Sequence, residues 1–388
     1  MSWQKFKADQ LFDGYEILAG NQVLVTAADG TIECIINENE AGEEIQQLSG
    51  ILSPGFINCH CHLELSHMKA AIPPGTGLVD FVFSVVTGRH FEEAVILDAI
   101  DKAEKEMLLN GIVAVGDICN NNLTIPQKLK GNLRYHNFIE VSGFPPAVAL
   151  TRFERSKAIL DEYRFALGAA HSSFSPHAPY SISPELLQMI LAEPGNHLMT
   201  MHSQEIEDEN ELFLHRRGDF LRMFEKMGID ISFFQQSGKS SLQTFLPLLK
   251  NLEQLILVHN VATSTEDLEF LNLLTANCGL QTFLCLCPNA NLYISNKLPV
   301  IDQFIKSNCN IVLGTDSLAS NHQLSILEEM RTLKQHNPEL GLNALLQWGT
   351  SNGAKVLEMD DSLGSFEKGK RPAVLLLQTD LSGVRRLI

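Results

Sequence analysis

The sequence predicts a (β/α)8 barrel of the TIM type, joined to a small β domain built from both ends of the chain. Three observations predict it. From residue 51 onward, eight short apolar runs alternate with longer helix-like stretches. Several of those runs close on a histidine or an aspartate, as barrel strands do where an active site is built. The segments before residue 50 and near the C-terminus read as β structure instead.

In order along the chain, "YEILAGNQVLVTA" and "GTIECIINE" are short β-like stretches divided by the turn signal Ala28-Asp29-Gly30. They assign residues 1–50 to the small β domain. The barrel strands are then expected at 55–62, 112–118, 134–141, 166–172, 197–202, 254–259, 280–285 and 310–315. Helix-like stretches fall at 91–110, 184–192, 208–227, 265–277 and 323–335. The barrel occupies residues 51–360. After "LGSFEKGKRPAVLLLQTD" the chain turns β-like again, so residues 361–388 are expected to complete the small domain.

Composition narrows the function. A formal charge of −17 over 388 residues disfavours binding to nucleic acid or an anionic membrane, both of which draw on clustered Lys and Arg. The first residues, MSWQKFKADQLFDGYEIL, hold no uninterrupted apolar core of a signal peptide, and no segment reaches the roughly 18 apolar residues of a membrane span. A cytoplasmic location is expected. The eight cysteines lack framework spacing and sit within apolar runs, so they are read as free, mostly buried thiols.

The chemistry begins at "SPGFINCHCHLELSH", residues 53–67. Side chains alternate along a strand, so His60 and His62 are expected to share one face while Cys59, Cys61 and Leu63 take the other. Two neutral imidazoles so placed converge on one cation, and imidazole suits zinc and iron alike. His202 closes "HLMTMH", His259 closes "QLILVH" and Asp316 closes "NIVLGTD". Taken singly, each is as readily a satisfied strand-end residue or a helix N-cap. Four strand ends supplying His or Asp together point to a metal centre. In "HSQE", Glu205 stands just beyond His202, where a carboxylate can pass protons between water, a ring nitrogen and a leaving amine. The acidic run from Glu207 to Glu211 reads as a solvated helix start.

At these residues the sequence resembles the amidohydrolase superfamily, and within it the mononuclear-metal aminohydrolases that include aminofutalosine, S-adenosylhomocysteine and guanine deaminases, with chlorohydrolases as relatives. "PGFINCHCHLE" resembles the HxH motif of the first strand, "HSQE" the HxxE of the fifth, "LVHN" the histidine of the sixth and "GTDSLASN" the aspartate of the eighth. "SPHAPYSIS" is similar to a stretch that carries a substrate-contacting histidine, here His177. "CPNANLYI" is similar to the seventh-strand CPxSN, with Ala290 where Ser is common. The resemblance implies His60, His62, His202 and Asp316 as ligands of one divalent metal, zinc first, with iron or manganese as alternatives. It implies that His259 orients the attacking water and shares with Asp316 the uptake of its proton, and that Glu205 shuttles protons to the substrate ring. The fourth strand offers no lysine for a second metal. The usual tail run of Gly-Lys-Asp-Ala-Asp type appears as Gly369-Lys370-Arg371-Pro372-Ala373, a departure remote from the chemistry.

The expected enzyme is thus a metal-dependent hydrolase of non-peptide C–N bonds, a deaminase of an amino-substituted ring such as an adenine nucleoside. Dechlorination or amide hydrolysis on the same scaffold is the alternative, and a non-catalytic interaction protein the third reading. "HCHLELSH" is closest to the aminofutalosine pattern. Where relatives acting on S-adenosylhomocysteine carry an acidic residue for the ribose, "GTGLVDFVFSVVTGR" offers Asp80 and Arg89. Arg89 suits a substrate carboxylate through its planar fork, or is a helix-end residue facing solvent. Glu64 is either a substrate contact or a strand-end polar residue. The partner is a small molecule, a purine nucleoside or another amino-heterocycle, bound by a monomer or a homo-oligomer. Exchanging Cys59→Ala together with Cys61→Ser is expected to leave metal content near wild type, whereas His60→Ala or His62→Ala depletes it, as read by elemental analysis of purified protein.

Overall fold

A computed structural model describes residues 3–18 and 20–388. Eight parallel strands form its centre: β1 (Phe56–Cys61), β2 (Ile112–Cys119), β3 (Arg134–Val141), β4 (Ser172–Pro176), β5 (Leu198–Ser203), β6 (Gln254–His259), β7 (Gln281–Leu286) and β8 (Asn310–Leu313). They pair as two runs, β1-β2-β3-β4 and β5-β6-β7-β8. Between β4 and β5, the His202 amide donates to the His177 carbonyl at 3.0 Å. Between β8 and β1, the amides of Thr315 and Asp316 both donate to the His60 carbonyl at 3.0 Å. The Asn58 side chain reinforces that second seam, bonding the Thr315 amide and hydroxyl.

The strands are buried on both faces, as parallel strands covered by helices must be. In β6, Leu255 and Leu257 join the larger apolar cluster shared with the surrounding helices, while Ile256 and Val258 join a second cluster with Phe283, Cys285 and Val312. Period-two alternation thus serves two cores at once. Among the described residues no helix is long and apolar enough to cross a membrane.

Both chain ends contribute to the remaining sheets. Residues 3–7, 22–27, 32–37 and 46–47 form one, while residues 10–12, 17–18, 51–53, 375–377 and 384–386 form the other. Leu375–Leu377 runs antiparallel to Ile51–Ser53, the strand leading directly into β1. The unusual tail run is held firmly: the Gly369 amide donates to Ile32, and the Pro372 carbonyl accepts from Gly55, both at 2.9 Å.

Three expectations are corrected. The fourth strand lies at Ser172–Pro176, not 166–172, because Ala149–Leu167 is helical and ends at Gly168 in a positive-φ conformation. The helix expected over 208–227 is two, Glu207–His215 and Phe220–Lys226. Arg216 at φ 52° and Gly218 at φ 100° break it, and Asp208 Oδ1 accepts the Asp219 amide at 2.7 Å across the break. A side chain on Gly218 would collide with Asp208, so glycine is required there. The third correction concerns β1, whose register against β2 shifts between Asn58 and Cys61. This bulge inserts one residue and breaks strict alternation. Cys59 therefore packs with Cys285 and Cys287, whereas Cys61 packs in the other cluster. All eight cysteines are free.

Beneath the barrel mouth lies a buried ion pair, Lys128 Nζ to Asp117 Oδ2 at 2.6 Å. Lys128 also donates to Asn137 Oδ1 at 2.8 Å and sits 4.9 and 5.0 Å from the ring centroids of Tyr135 and Tyr163. Asp117 Oδ1 accepts the Leu63 amide at 2.9 Å, which fixes the turn immediately after His62. Removing one member of such a pair leaves an uncompensated buried charge and costs roughly 3–5 kcal/mol. Lys128→Met is expected to lose about that much in urea unfolding, with part recovered in the Asp117→Asn/Lys128→Met double variant; a loss below about 1 kcal/mol would contradict it.

Candidate active site

The strand ends deliver their polar side chains to one point. The His60 ring lies 5.0 Å from His62, 4.9 Å from His202 and 5.9 Å from His259, centroid to centroid. Asp316 Oδ1 stands 3.4 Å from His62 Nε2 and 3.7 Å from His60 Nε2. Glu205 Oε2 is 3.6 Å from His259 Nε2. His177, on the segment after β4, places its ring 4.8 Å from that of His202, tilted by 48°. The backbone is bent to achieve this. His259 at φ 76° and Asp316 at φ 57° both occupy the left-handed region, which non-glycine residues enter at a cost and chiefly at functional sites.

His60, His62 and His202 each present a ligand atom within 4.8 Å of the others, and they form a metal site. Whether the residues fit a cation can be tested on their unmet hydrogen bonds. His60 Nε2, on the Asp316 side of its ring, is buried without a hydrogen-bond partner, a costly state that an ion within the cluster would relieve. His202 Nδ1 bonds the His177 carbonyl at 2.7 Å, which turns its Nε2 lone pair into the cluster. Burial lowers the pKa of His62 and, together with the neighbouring imidazoles, that of His202, so both stay neutral as ligation demands. Burial would raise Asp316, but the surrounding histidines outweigh it and hold the carboxylate well below its usual range. One carboxylate among three imidazoles is a donor set that suits a divalent ion.

The remaining groups are arranged for proton transfer. Burial, followed by the nearby Asp316 charge, pushes Glu205 well above the usual carboxyl range, so it keeps its proton. Burial pushes His259 down to about 3. Asn291 Nδ2 is 3.0 Å from His259 Nδ1; with that amide as donor, Nε2 carries the ring proton and faces Glu205 and the cluster. Ser320 Oγ donates to Asp316 Oδ2 at 2.6 Å and leaves Oδ1 turned toward the histidines.

A cavity of about 510 Å³ opens from this cluster, within the range of small-molecule sites. One end holds His62, His177, His202, Glu205, His259 and Asp316. The other is apolar, walled by Leu78, Phe81 and Val85 of α1 (Leu78–Gly88), by Met223 and Phe224 of α2 (Phe220–Lys226), and by Phe144.

Arg89 lines the cavity, with its carbonyl held by the His67 ring at 3.0 Å. Glu64 is placed elsewhere. It is buried behind the wall with Oε2 on the Asn120 amide at 2.9 Å, and its pKa is raised to about 7 by burial. Asp80 is bound to Arg222 and Lys226 at the surface and does not reach the cavity wall. Four residues that hold or line the site were not singled out from sequence: Asn291, Ser320, Glu140 and Glu329. Only Glu140, a polar residue one before the end of β3, resembled the strand-end signal that marks His259.

With this geometry established, comparison with known proteins is direct. A model of the amidohydrolase family matches residues 51–386. The chain belongs to the amidohydrolase family. It is 26% identical over 351 residues to a 5-methylthioadenosine/S-adenosylhomocysteine deaminase of Teredinibacter turnerae, covering 86% of this chain and 73% of that protein. The structure of Helicobacter pylori aminofutalosine deaminase with methylthio-coformycin superposes with a TM-score of 0.82 at 22% identity, covering 99% of this chain and 97% of that one. A Xanthomonas campestris adenosine deaminase with bound zinc gives 0.74 at 20% identity, covering 98% and 85%. Both structures show the shared α/β fold.

This family member locks its Asp316 loop with a buried acid. Asn321 Nδ2 donates to the Thr315 carbonyl and to Glu329 Oε1, both at 2.9 Å. Burial raises Glu329 to about 8, so the folded protein keeps this proton where the unfolded chain, titrating near 4.5, releases it. Its contribution to stability is therefore complete below about pH 4.5 and lost as pH rises through about 8. Between pH 6 and pH 9, wild-type Tm is expected to fall by several degrees more than that of Glu329→Gln in thermal melts; equal falls would overturn the assignment.

Proposed function

We propose that this amidohydrolase is a hydrolytic deaminase of adenine-type nucleosides that carry an extended, largely apolar substituent, with aminofutalosine-like nucleosides first and 5′-methylthioadenosine or S-adenosylhomocysteine second. The observation that carries this reading is the two-ended cavity: a buried, protonated carboxyl beside a histidine cluster at one end and an apolar wall at the other. The relatives' deaminase activities and the zinc-bound adenosine deaminase of the same fold agree with it.

In this reading His60, His62, His202 and Asp316 hold one divalent ion, zinc by the imidazole-rich set. An ion held there would supply Lewis acidity that makes water a nucleophile near neutral pH. Asp316 accepts the water's proton. His259 orients the same oxygen by donating from Nε2, which narrows the shared proton uptake expected from sequence to Asp316. Glu205 would give its carboxyl proton to the ring nitrogen beside the amino-bearing carbon, so negative charge does not build there; Asp316 would pass the proton taken from water to the amino group, which leaves as ammonia, and the new hydroxyl's proton would restore Glu205. His177, with Nδ1 fixed by Ser181 Oγ at 2.8 Å, contacts the base. Arg89 faces the substituent and pairs with a carboxylate where one is present.

Zinc-loaded enzyme should release ammonia from at least one member of a panel of adenosine, 5′-methylthioadenosine, S-adenosylhomocysteine and aminofutalosine-type nucleosides, with loss of the adenine absorbance. Ammonia from none of them, with chloride or amine release from triazines or amides, would overturn the proposal. Glu205→Gln should keep its metal and lose about 10²–10⁴-fold in kcat; near wild-type turnover would exclude its role.

A further inference from the structure

Glu205 and His259 stand on different loops, and one buried amide ties those loops together. Gln204, between the end of β5 and Glu205, is fully buried and left-handed at φ 48°. A non-glycine residue enters that region at a cost and stays there when its surroundings hold it. Three bonds to its side chain supply the hold. Nε2 donates to Asn210 Oδ1 at 3.0 Å and to Asp267 Oδ2 at 2.7 Å, and Oε1 accepts from Thr263 Oγ1 at 2.8 Å. Both amide hydrogens are used, and a turned amide would set its oxygen against two acceptors, so the partners fix its orientation.

The partners lie on two elements. Asn210 belongs to the helix Glu207–His215 that follows Glu205, whereas Thr263 and Asp267 belong to the segment leaving β6 beyond His259, with Asp267 in the first turn of Thr265–Cys278. The backbone repeats the connection. The Asn260 amide donates to the Ser203 carbonyl at 3.0 Å, the Ala262 amide to the Gln204 carbonyl at 2.8 Å, and Asn210 Nδ2 to the Ala262 carbonyl at 3.0 Å. Glu205 Oε2 and His259 Nε2, at 3.6 Å, are outside hydrogen-bond range, so their relative placement is set by the loops that carry them. His202 is held from the other side, since its amide and its Nδ1 both bond the His177 carbonyl. We infer that Gln204 is a positioning residue that clamps the loops after β5 and β6 together, fixing the proton donor Glu205 against the water-orienting His259 without acting on the metal ligands. The roles of the two clamped groups rest on the proposed deaminase reading; the clamp itself does not.

Structure and kinetics test it separately. Gln204→Met keeps the length of the side chain and removes its hydrogen bonds. In crystal structures of zinc-loaded protein, this variant is expected to shift Glu205 relative to His259 by about 1 Å, a displacement that costs on the order of 10²-fold in rate, while His60, His62 and His202 stay in place. On the nucleoside that wild type turns over fastest, kcat should fall about ten- to hundredfold, with KM within about threefold and zinc content unchanged. Gln204→Gly, which adopts the left-handed backbone without strain but carries no amide, should lose kcat in the same way. Thr263→Val removes one arm of the clamp from outside the turn, should give a smaller loss of the same kind, and carries the test if the Gln204 variants do not fold. Wild-type kcat in the folded variants, a rise in KM with kcat unchanged, or a loss that matches the unfolded fraction of the sample overturns the role of Gln204. A shift of Glu205 in Gln204→Met when wild type deaminates no nucleoside overturns the deaminase reading and leaves the clamp standing. An unmoved Glu205 overturns the clamp whatever the turnover.

Discussion

The site depends on one seam. Where β8 closes against β1, a single carbonyl, that of His60, accepts the amides of both Thr315 and Asp316. Asn58 fastens the same two strand ends with two further side-chain bonds. Residues more than 250 positions apart in sequence are thereby brought to side-chain distances of 3.4–3.7 Å. The left-handed backbone at Asp316 is tolerated because its amide is bonded across the seam and its carboxylate is held by Ser320. Without that closure β1 would carry two histidines and no counter-charge.

Electrostatics follow from the closure. Bringing imidazoles together in a buried space keeps them neutral, since each would repel another's charge as well as lose water. The same cluster favours the ionised form of the one acid in its midst, Asp316, and burial keeps the next acid, Glu205, protonated. Two carboxyl groups held in opposite protonation states by their surroundings are what acid–base work at neutral pH requires. A second layer of buried groups, Asn291 on His259 and Glu329 with Asn321 on the loop after Asp316, fixes orientation rather than charge.

The cavity turns this centre into a binding site with direction. α1 and α2 are joined at the surface by Asp80 with Arg222 and Lys226, and their inner faces form the apolar wall. The cavity is therefore polar at the strand ends and apolar at its far wall. Asp80, which by sequence position might have faced a sugar, instead braces that wall from outside.

The sequence by itself determined the barrel and most of its site, because strand ends marked by His, Glu and Asp are local patterns that period-two runs and turn chemistry display directly. Strands 134–141 and 254–259 lie where the residues alone place them. The fourth strand was not legible, since "FALGAA" is apolar enough for a strand and only helix termination at Gly168 decides otherwise. Nor was the parting of Cys59 from Cys61, because a bulge is a property of paired strands and not of one. Tertiary structure alone showed that Glu64 lies behind the wall, that Asp80 faces outward, and that Glu140 faces the cavity. All three are acids beside apolar runs, and what separates them is which partner the closed barrel places within hydrogen-bonding distance, a contact between distant residues that no local pattern encodes.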